Sequence, residues 1–205
     1  MATSHPPKIE FAFGTPSGIR ATAKEFEKES DRAVVVLGAA KLDNLLYQLL
    51  AARLIPCSSG DDELLDGDRP LSTFSSRINI AYRLGLITHN FAKALHLVRK
   101  LRNDFAHEYS GISIAAGPQR DRIDALIHPL RSNWAFLWIL KTYFGDGRSE
   151  SVLFRAAVTL MALRLLGQLE VTVPIDGDEA MEMMPAPETT GDKKPDPPAT
   201  PSSPA

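Results

Sequence analysis

The residue types best suited to chemistry crowd together at the end of one segment, HNFAKALHLVRKLRNDFAH (89–107). Arg102, Asn103 and His107 bring a guanidinium, an amide and an imidazole into one short stretch. An imidazole can transfer a proton near neutral pH, and a guanidinium binds anionic groups such as phosphate. Residues five apart are turned by about 140° on a helix. Arg102 and His107 therefore converge only if the arginine curls round, the helix end loosens or a second protomer supplies a residue.

A long amphipathic helix is expected to position these groups. Thr88 precedes it and can accept a hydrogen bond from a first-turn amide. Arg102 falls close to the apolar stripe, so its guanidinium is expected to leave water at least partly, whereas Asn103 and His107 share another face with His96. The stripe consists of apolar residues three and four positions apart, which are Phe91, Ala94, Val98, Leu101 and Phe105.

Helical patterns fill the middle of the chain and predict an all-α bundle of about five or six helices with disordered termini. Trp134 and Trp138 are interpreted as core residues, with an exposed patch for a partner as the alternative. Gly85 is expected in the left-handed position that ends a helix. The other predicted helices run from about 19 to 54, from Ser72 or Thr73 to about 84, over 119–130, over 133–144, and from a cap at Ser149 or Ser151 to about 169.

Length and composition fit one domain with two tails. The 205 residues, 44% of them hydrophobic, are enough to bury a core. We expect a flexible leader over 1–18, a helical domain over 19–172 and a disordered, acidic, Pro-rich tail over 173–205. The net charge of −2 gives no general drive toward nucleic acid. No cofactor motif or metal-ligand set is evident, since the acidic loop 61–70 lacks the spacing of a calcium loop.

Two features bear on the predicted location. The first residues lack the basic and then apolar pattern of a signal peptide. The segment 152–169 is apolar and nearly long enough to span a bilayer, but Arg155 and Arg164 lie inside it at a large energetic cost in lipid. We therefore expect a soluble cytoplasmic protein with no membrane partner.

Three blocks of the sequence resemble one family. ESDRA (29–33), PLSTFSSRINIAYRLGLIT (70–88) and RKLRNDFAH (99–107) resemble, in this order and at similar spacing, the bacterial mannitol operon repressor family. That family is a branch of the HEPN-like all-α folds, whose signature is Arg, usually a polar residue, and His a few positions on. Arg102, Asn103 and His107 match the signature. The resemblance implies a single HEPN-like bundle, and we expect this bundle to form a homodimer through apolar surface beside the central helix.

The preferred hypothesis is regulation without catalysis. The family is named for repression of a sugar-alcohol operon, and this chain has no obvious DNA-reading module. The resemblance therefore implies a repressor-like or corepressor-like protein that contacts a protein partner in transcription regulation. Under this hypothesis the polar cluster is structural. Arg102 would pair with Glu29 or Asp31, and Asp104 would help to tie the helix end to the next loop.

The first alternative is a metal-independent endoribonuclease of the toxin type. In catalytic HEPN proteins the Arg and His of the signature cleave RNA together. The resemblance would give His107 the acid/base role on a ribose hydroxyl, Arg102 the phosphate-binding role and Asn103 an orienting role. The partner would then be RNA.

A second alternative is direct DNA binding through a helix-turn-helix over 77–96. Small residues and a turn glycine partly reproduce the spacing of that motif, and His89, Asn90 and Lys93 would face the bases. Recognition helices are usually short and exposed, however, and this helix carries an apolar stripe along its whole length. Its outer surface also lacks a run of Lys and Arg for phosphate contacts.

Overall fold

The computed structural model describes residues 16–57, 60, 62–107 and 111–176, and all regular structure in these residues is helical. The prediction of an all-α bundle is confirmed, with seven α-helices in the described residues where five or six were predicted. The helices are α1 (Pro16–Glu27), α2 (Asp31–Arg53), α3 (Phe74–Arg83), α4 (His89–His107), α5 (Gly117–Ile127), α6 (Trp134–Ile139) and α7 (Glu150–Glu170). A 3₁₀ turn (His128–Leu130) follows α5, and a π-helical turn (Leu140–Phe144) extends α6.

The chain divides into two units, Met1–Ile175 and Asp176–Ala205, and all seven helices belong to the first. The predicted leader over 1–18 lies outside the described residues as far as residue 15. The predicted tail over 173–205 lies outside them from residue 177 onward. The domain boundaries therefore stay predictions.

The extra helix arises because the predicted helix over 19–54 is broken after Glu27. The chain leaves the helical conformation at residues 28–30, and Ser30 caps α2 by accepting a hydrogen bond from the Ala33 amide at 3.2 Å. A serine followed by an aspartate is a favoured helix start, because the hydroxyl satisfies a first-turn amide and the carboxylate faces the positive end of the helix dipole. The break gives the chain a joint between α1 and α2.

Helix α7 lies at the centre of the bundle and contacts α1, α2, α5 and α6. Every residue from Phe154 to Leu163 is buried. At the crossing with α2, a Cβ added to Gly38 would stand 2.9 Å from Val158 Cγ1, so the two helices approach closely there. By length and composition α2 and α7 could each cross a membrane, but burial inside a bundle accounts for the same apolar character.

The most buried charged residue in the described chain is Arg155 of α7, which is 8% exposed. Its Nε donates to the Phe26 carbonyl at 3.0 Å, Nη1 donates to Asp31 Oδ1 at 3.2 Å, and Nη2 donates to the Glu29 carbonyl. Ser151, one turn earlier on α7, also contacts both Arg155 and Asp31. One guanidinium thus fixes the joint between α1 and α2 against the central helix.

This network corrects the predicted pairing of Arg102 with Glu29 or Asp31. Both acidic residues do meet an arginine, but it is Arg155, and Glu29 contributes its backbone carbonyl rather than its carboxylate. Arg102 instead lies exposed near the end of α4. The reason is geometric. The joint between α1 and α2 packs on α7, so Arg155 of α7 is the arginine that reaches the carbonyls and the carboxylate of the joint.

We predict that Arg155→Ala lowers the free energy of unfolding by about 2–3 kcal/mol, because it leaves carbonyl groups and a carboxylate without their buried partner. Arg102→Ala is the matched control, and as a surface change it should stay within about 0.5 kcal/mol of the parent. Guanidinium chloride denaturation followed by circular dichroism measures both. Equal losses in the two variants would contradict this assignment.

Candidate functional site

The signature residues lie on the surface at the end of α4. Arg102 is exposed, and its Nη1 donates to Asn103 Oδ1 at 3.1 Å. Asn103 is half-buried and shares a helix face with His107, which is exposed and is the last residue of α4. Both Arg102 and His107 are therefore open to a ligand in water. An imidazole can transfer a proton, and a guanidinium can bind an anion.

Asp104 connects the end of α4 to α5. Its Oδ2 accepts from Gln119 Nε2 at 3.1 Å and also from Arg122 Nη1. The side chains of Arg122 and Asp104 are both about one quarter exposed, so water screens this pair only in part. Asp104 is thus occupied by a neighbouring helix and does not interact with Arg102.

A basic edge runs along the outer side of α4 through His89, Lys93, His96 and Lys100. His96 Nε2 lies 3.1 Å from Asn79 Oδ1 of α3, which fixes the ring between the two helices. Burial lowers the pKa of His96 below its ordinary value, and the positive charges of Arg99 and Lys100 lower it further. The positive charges of this edge are those of Lys93 and Lys100.

An open groove lies beside this edge, and we call it the α4 groove. It consists of two adjoining cavities of about 380 and 470 Å³. The first lies between α4, α6 and α7, and the second lies between α4 and α5. Both cavities are lined by Asn90, Ala94, Leu126 and Pro129.

The floor of the α4 groove is apolar and only partly covered. Phe91, Ala94 and Leu97 of α4 are half-buried here, whereas farther along the helix Leu101 and Phe105 are fully buried. Trp134 forms a wall and is 53% exposed. The predicted burial of this tryptophan is therefore wrong, because α6 begins at Trp134 and places the indole at the open side of the groove.

The sequence interpretation missed the groove, since Leu97, Leu126 and Pro129 carry no chemical signal. Two clues were available: the WxxxW spacing, whose alternative interpretation was an exposed patch, and the apolar surface expected beside the central helix as a dimer surface. Whether an apolar stripe is covered along its whole length depends on where α5 and α6 end, and local periodicity does not contain that information.

The residues proposed for DNA contact, His89, Asn90 and Lys93, are all exposed on the first turns of α4. Thr88 caps this helix by accepting from the Phe91 amide at 3.3 Å. Gly85, in the connection from α3, has φ +71°, as predicted for a left-handed position. In the part of the chain that the structure describes, no group of three or more His, Cys, Asp or Glu residues could hold a metal ion.

No protein-family model matches this chain. No curated protein matches it either. A similar solved structure is the MtlR–HPr complex from Escherichia coli, with a TM-score of 0.49 and 17% sequence identity over 76% of this chain and 99% of that chain. So low an identity and TM-score support no functional conclusion for this chain. Membership of the mannitol operon repressor family therefore stays a prediction.

We predict that His96 makes stability depend on pH. Its folded-state pKa lies below the ordinary 6.5, so the unfolded chain takes up the proton first. The stability contributed by neutral His96 is therefore fully present above the ordinary pKa, and it is lost as the pH falls from there through the lower folded-state pKa. His96→Gln should lose less stability than the parent between about pH 7.5 and 5, whereas Asn90→Gln, at an exposed position of the same helix without a titratable group, should follow the parent. Denaturant titrations at each pH compare the three proteins, and identical curves for the parent and His96→Gln would contradict the prediction.

Proposed function

We propose that this domain is a repressor-like or corepressor-like transcriptional regulator that works in the cytoplasm through contact with a protein partner. The single observation that carries the proposal is the α4 groove. Concave apolar surface left open on a folded domain is typical of a site for another macromolecule or a ligand. The blocks that resemble the mannitol operon repressor family cover α3 and the last nine residues of α4, and they meet the groove at Thr88 and Lys100.

A second candidate is the metal-independent ribonuclease, and the exposure of Arg102 beside Asn103 favours it. If Arg102 were locked in the core it could not reach a phosphate, and it is not locked there. In this hypothesis His107 remains the acid/base, and RNA is the partner. The regulatory proposal is preferred because the groove offers a larger, shaped surface than the three polar side chains at the helix end.

Direct DNA reading through α3 and α4 stays a third hypothesis. Its proposed contact residues, His89, Asn90 and Lys93, are accessible, but α4 contacts α3 on one side and α5 on the other. A recognition helix must protrude enough to enter a major groove about 12 Å wide. The flanking helices reduce that protrusion. A homodimer also stays a prediction.

We predict that a photo-crosslinking amino acid in place of Ala125, which is exposed and lines the α4 groove, captures a discrete protein in cells of the source organism. The same amino acid in place of Ala40, exposed on α2, is the matched control and should not capture it. The adducts are identified by mass spectrometry. Equal adducts from both positions, or none from Ala125, would contradict the regulatory proposal.

For the ribonuclease candidate, the purified chain is incubated with labelled RNA in EDTA. The regulatory proposal predicts no cleavage above that seen with His107→Ala. Cleavage that disappears in His107→Ala but persists in His128→Ala, with unchanged circular dichroism in both variants, would establish the ribonuclease instead. His128 is a suitable control because it is also an exposed histidine at a helix end.

A further inference from the structure

The shape of the α4 groove restricts the backbone of its occupant. Both walls are helices whose amides and carbonyls are already bonded within the helix, and no sheet edge borders the groove in the described residues. An extended peptide laid on this apolar floor would leave its own amides and carbonyls without partners. A helix satisfies these groups internally, so helix-in-groove docking is the mode that fits.

The floor of the groove restricts the side chains of the occupant. Phe91, Ala94 and Leu97 recur every three residues and present half-buried apolar surface, and Trp134 offers an exposed indole beside them. Apolar side chains at one face of a docked helix would cover this surface. An exposed aromatic wall is also a common anchor in protein interfaces.

The charges at the rim restrict the chemistry further. Lys93 and Lys100 line the α4 groove and are exposed, and neither belongs to an ion pair within the described residues. Arg164 also lines the groove, and no carboxylate of the described residues lines either cavity. The rim therefore complements a negatively charged partner.

The spacing of Lys93 and Lys100 indicates where the carboxylates of a docked helix would lie. They are seven residues apart on one helix, so they stand on the same face about 10 Å apart along the axis. On a docked helix that runs alongside α4, residues seven apart also lie on one face, about 10 Å apart. Carboxylates seven residues apart on that helix would meet both ammonium groups.

We propose that the α4 groove binds an acidic amphipathic helix of a protein partner. Its apolar face covers Phe91, Leu97 and Trp134, and carboxylates spaced seven residues apart pair with Lys93 and Lys100. This inference rests on the proposed function and names the chemistry of the partner.

The test uses the full chain and fluorescein-labelled model peptides of about 16 residues, with leucines at i, i+3, i+4 and i+7. One peptide carries glutamates beside the leucine face, spaced seven apart, and the other carries lysines at the same places. In fluorescence anisotropy at low salt, the glutamate peptide should bind at least about tenfold more tightly than the lysine peptide, and added salt should reduce the difference.

Variants of the chain locate the effect. The double variant Lys93→Glu/Lys100→Glu should reverse the preference between the peptides, and Trp134→Ala should weaken the binding of both. Lys24→Glu, an exposed lysine of α1 away from the groove, is the matched control and should leave the preference unchanged. Circular dichroism verifies that each variant is folded.

Several results would overturn the inference. Equal binding of the two peptides, or an equal effect of Lys24→Glu and the double variant, would show that the groove does not select acidic helices. If the peptide experiment fails but the crosslinker at position 125 still captures a protein in cells, only the acidic-helix inference is wrong, and the regulatory proposal stands. If Ala125 captures a second copy of this chain, the occupant is the chain itself, and the acidic-helix inference falls.

Discussion

The buried guanidinium of Arg155 is the interaction on which the rest of the bundle depends. A charge removed from water is tolerated only when its donors are satisfied and its charge is balanced. Asp31 balances it, and the carbonyls of Phe26 and Glu29 accept from it, so the end of α1 and the start of α2 must stay where they are. Helix α7 can then be buried without a break from Phe154 to Leu163.

This constraint also explains why α4 is free to carry function. Arg155 of α7 already bonds the polar groups of the joint between α1 and α2. The polar end of α4 is therefore not needed to bond them, and Arg102 remains in solvent. Helix α4 still packs on α2, and residues of its inner stripe such as Leu101 and Phe105 are buried. Its outer flank keeps apolar surface beside a basic edge, which is the combination expected of a surface for a partner.

Much of the fold was predictable because its signals are local. The bounds of α4, the capping threonines at 73 and 88 and the left-handed Gly85 all follow from periodicity and helix-end chemistry. The choice between two arginines for Asp31 was not local, since it depends on which helix packs against the joint. The exposure of Trp134 likewise depends on where α6 begins. Both features depend on the tertiary arrangement. Because of them, the preferred candidate site is the α4 groove and not the polar cluster at the end of α4.

The most direct test of this account is the exchange of arginine Nε–H protons with solvent, measured by ¹H–¹⁵N NMR near neutral pH. We expect a slowly exchanging Nε–H signal that disappears in Arg155→Lys and persists in Arg102→Lys, because the Arg155 Nε–H is buried and donates to the Phe26 carbonyl, whereas Arg102 is exposed. A protected signal that disappears in Arg102→Lys and persists in Arg155→Lys would contradict it. In that case Arg102 would be the buried arginine, and the polar end of α4 would stabilise the fold.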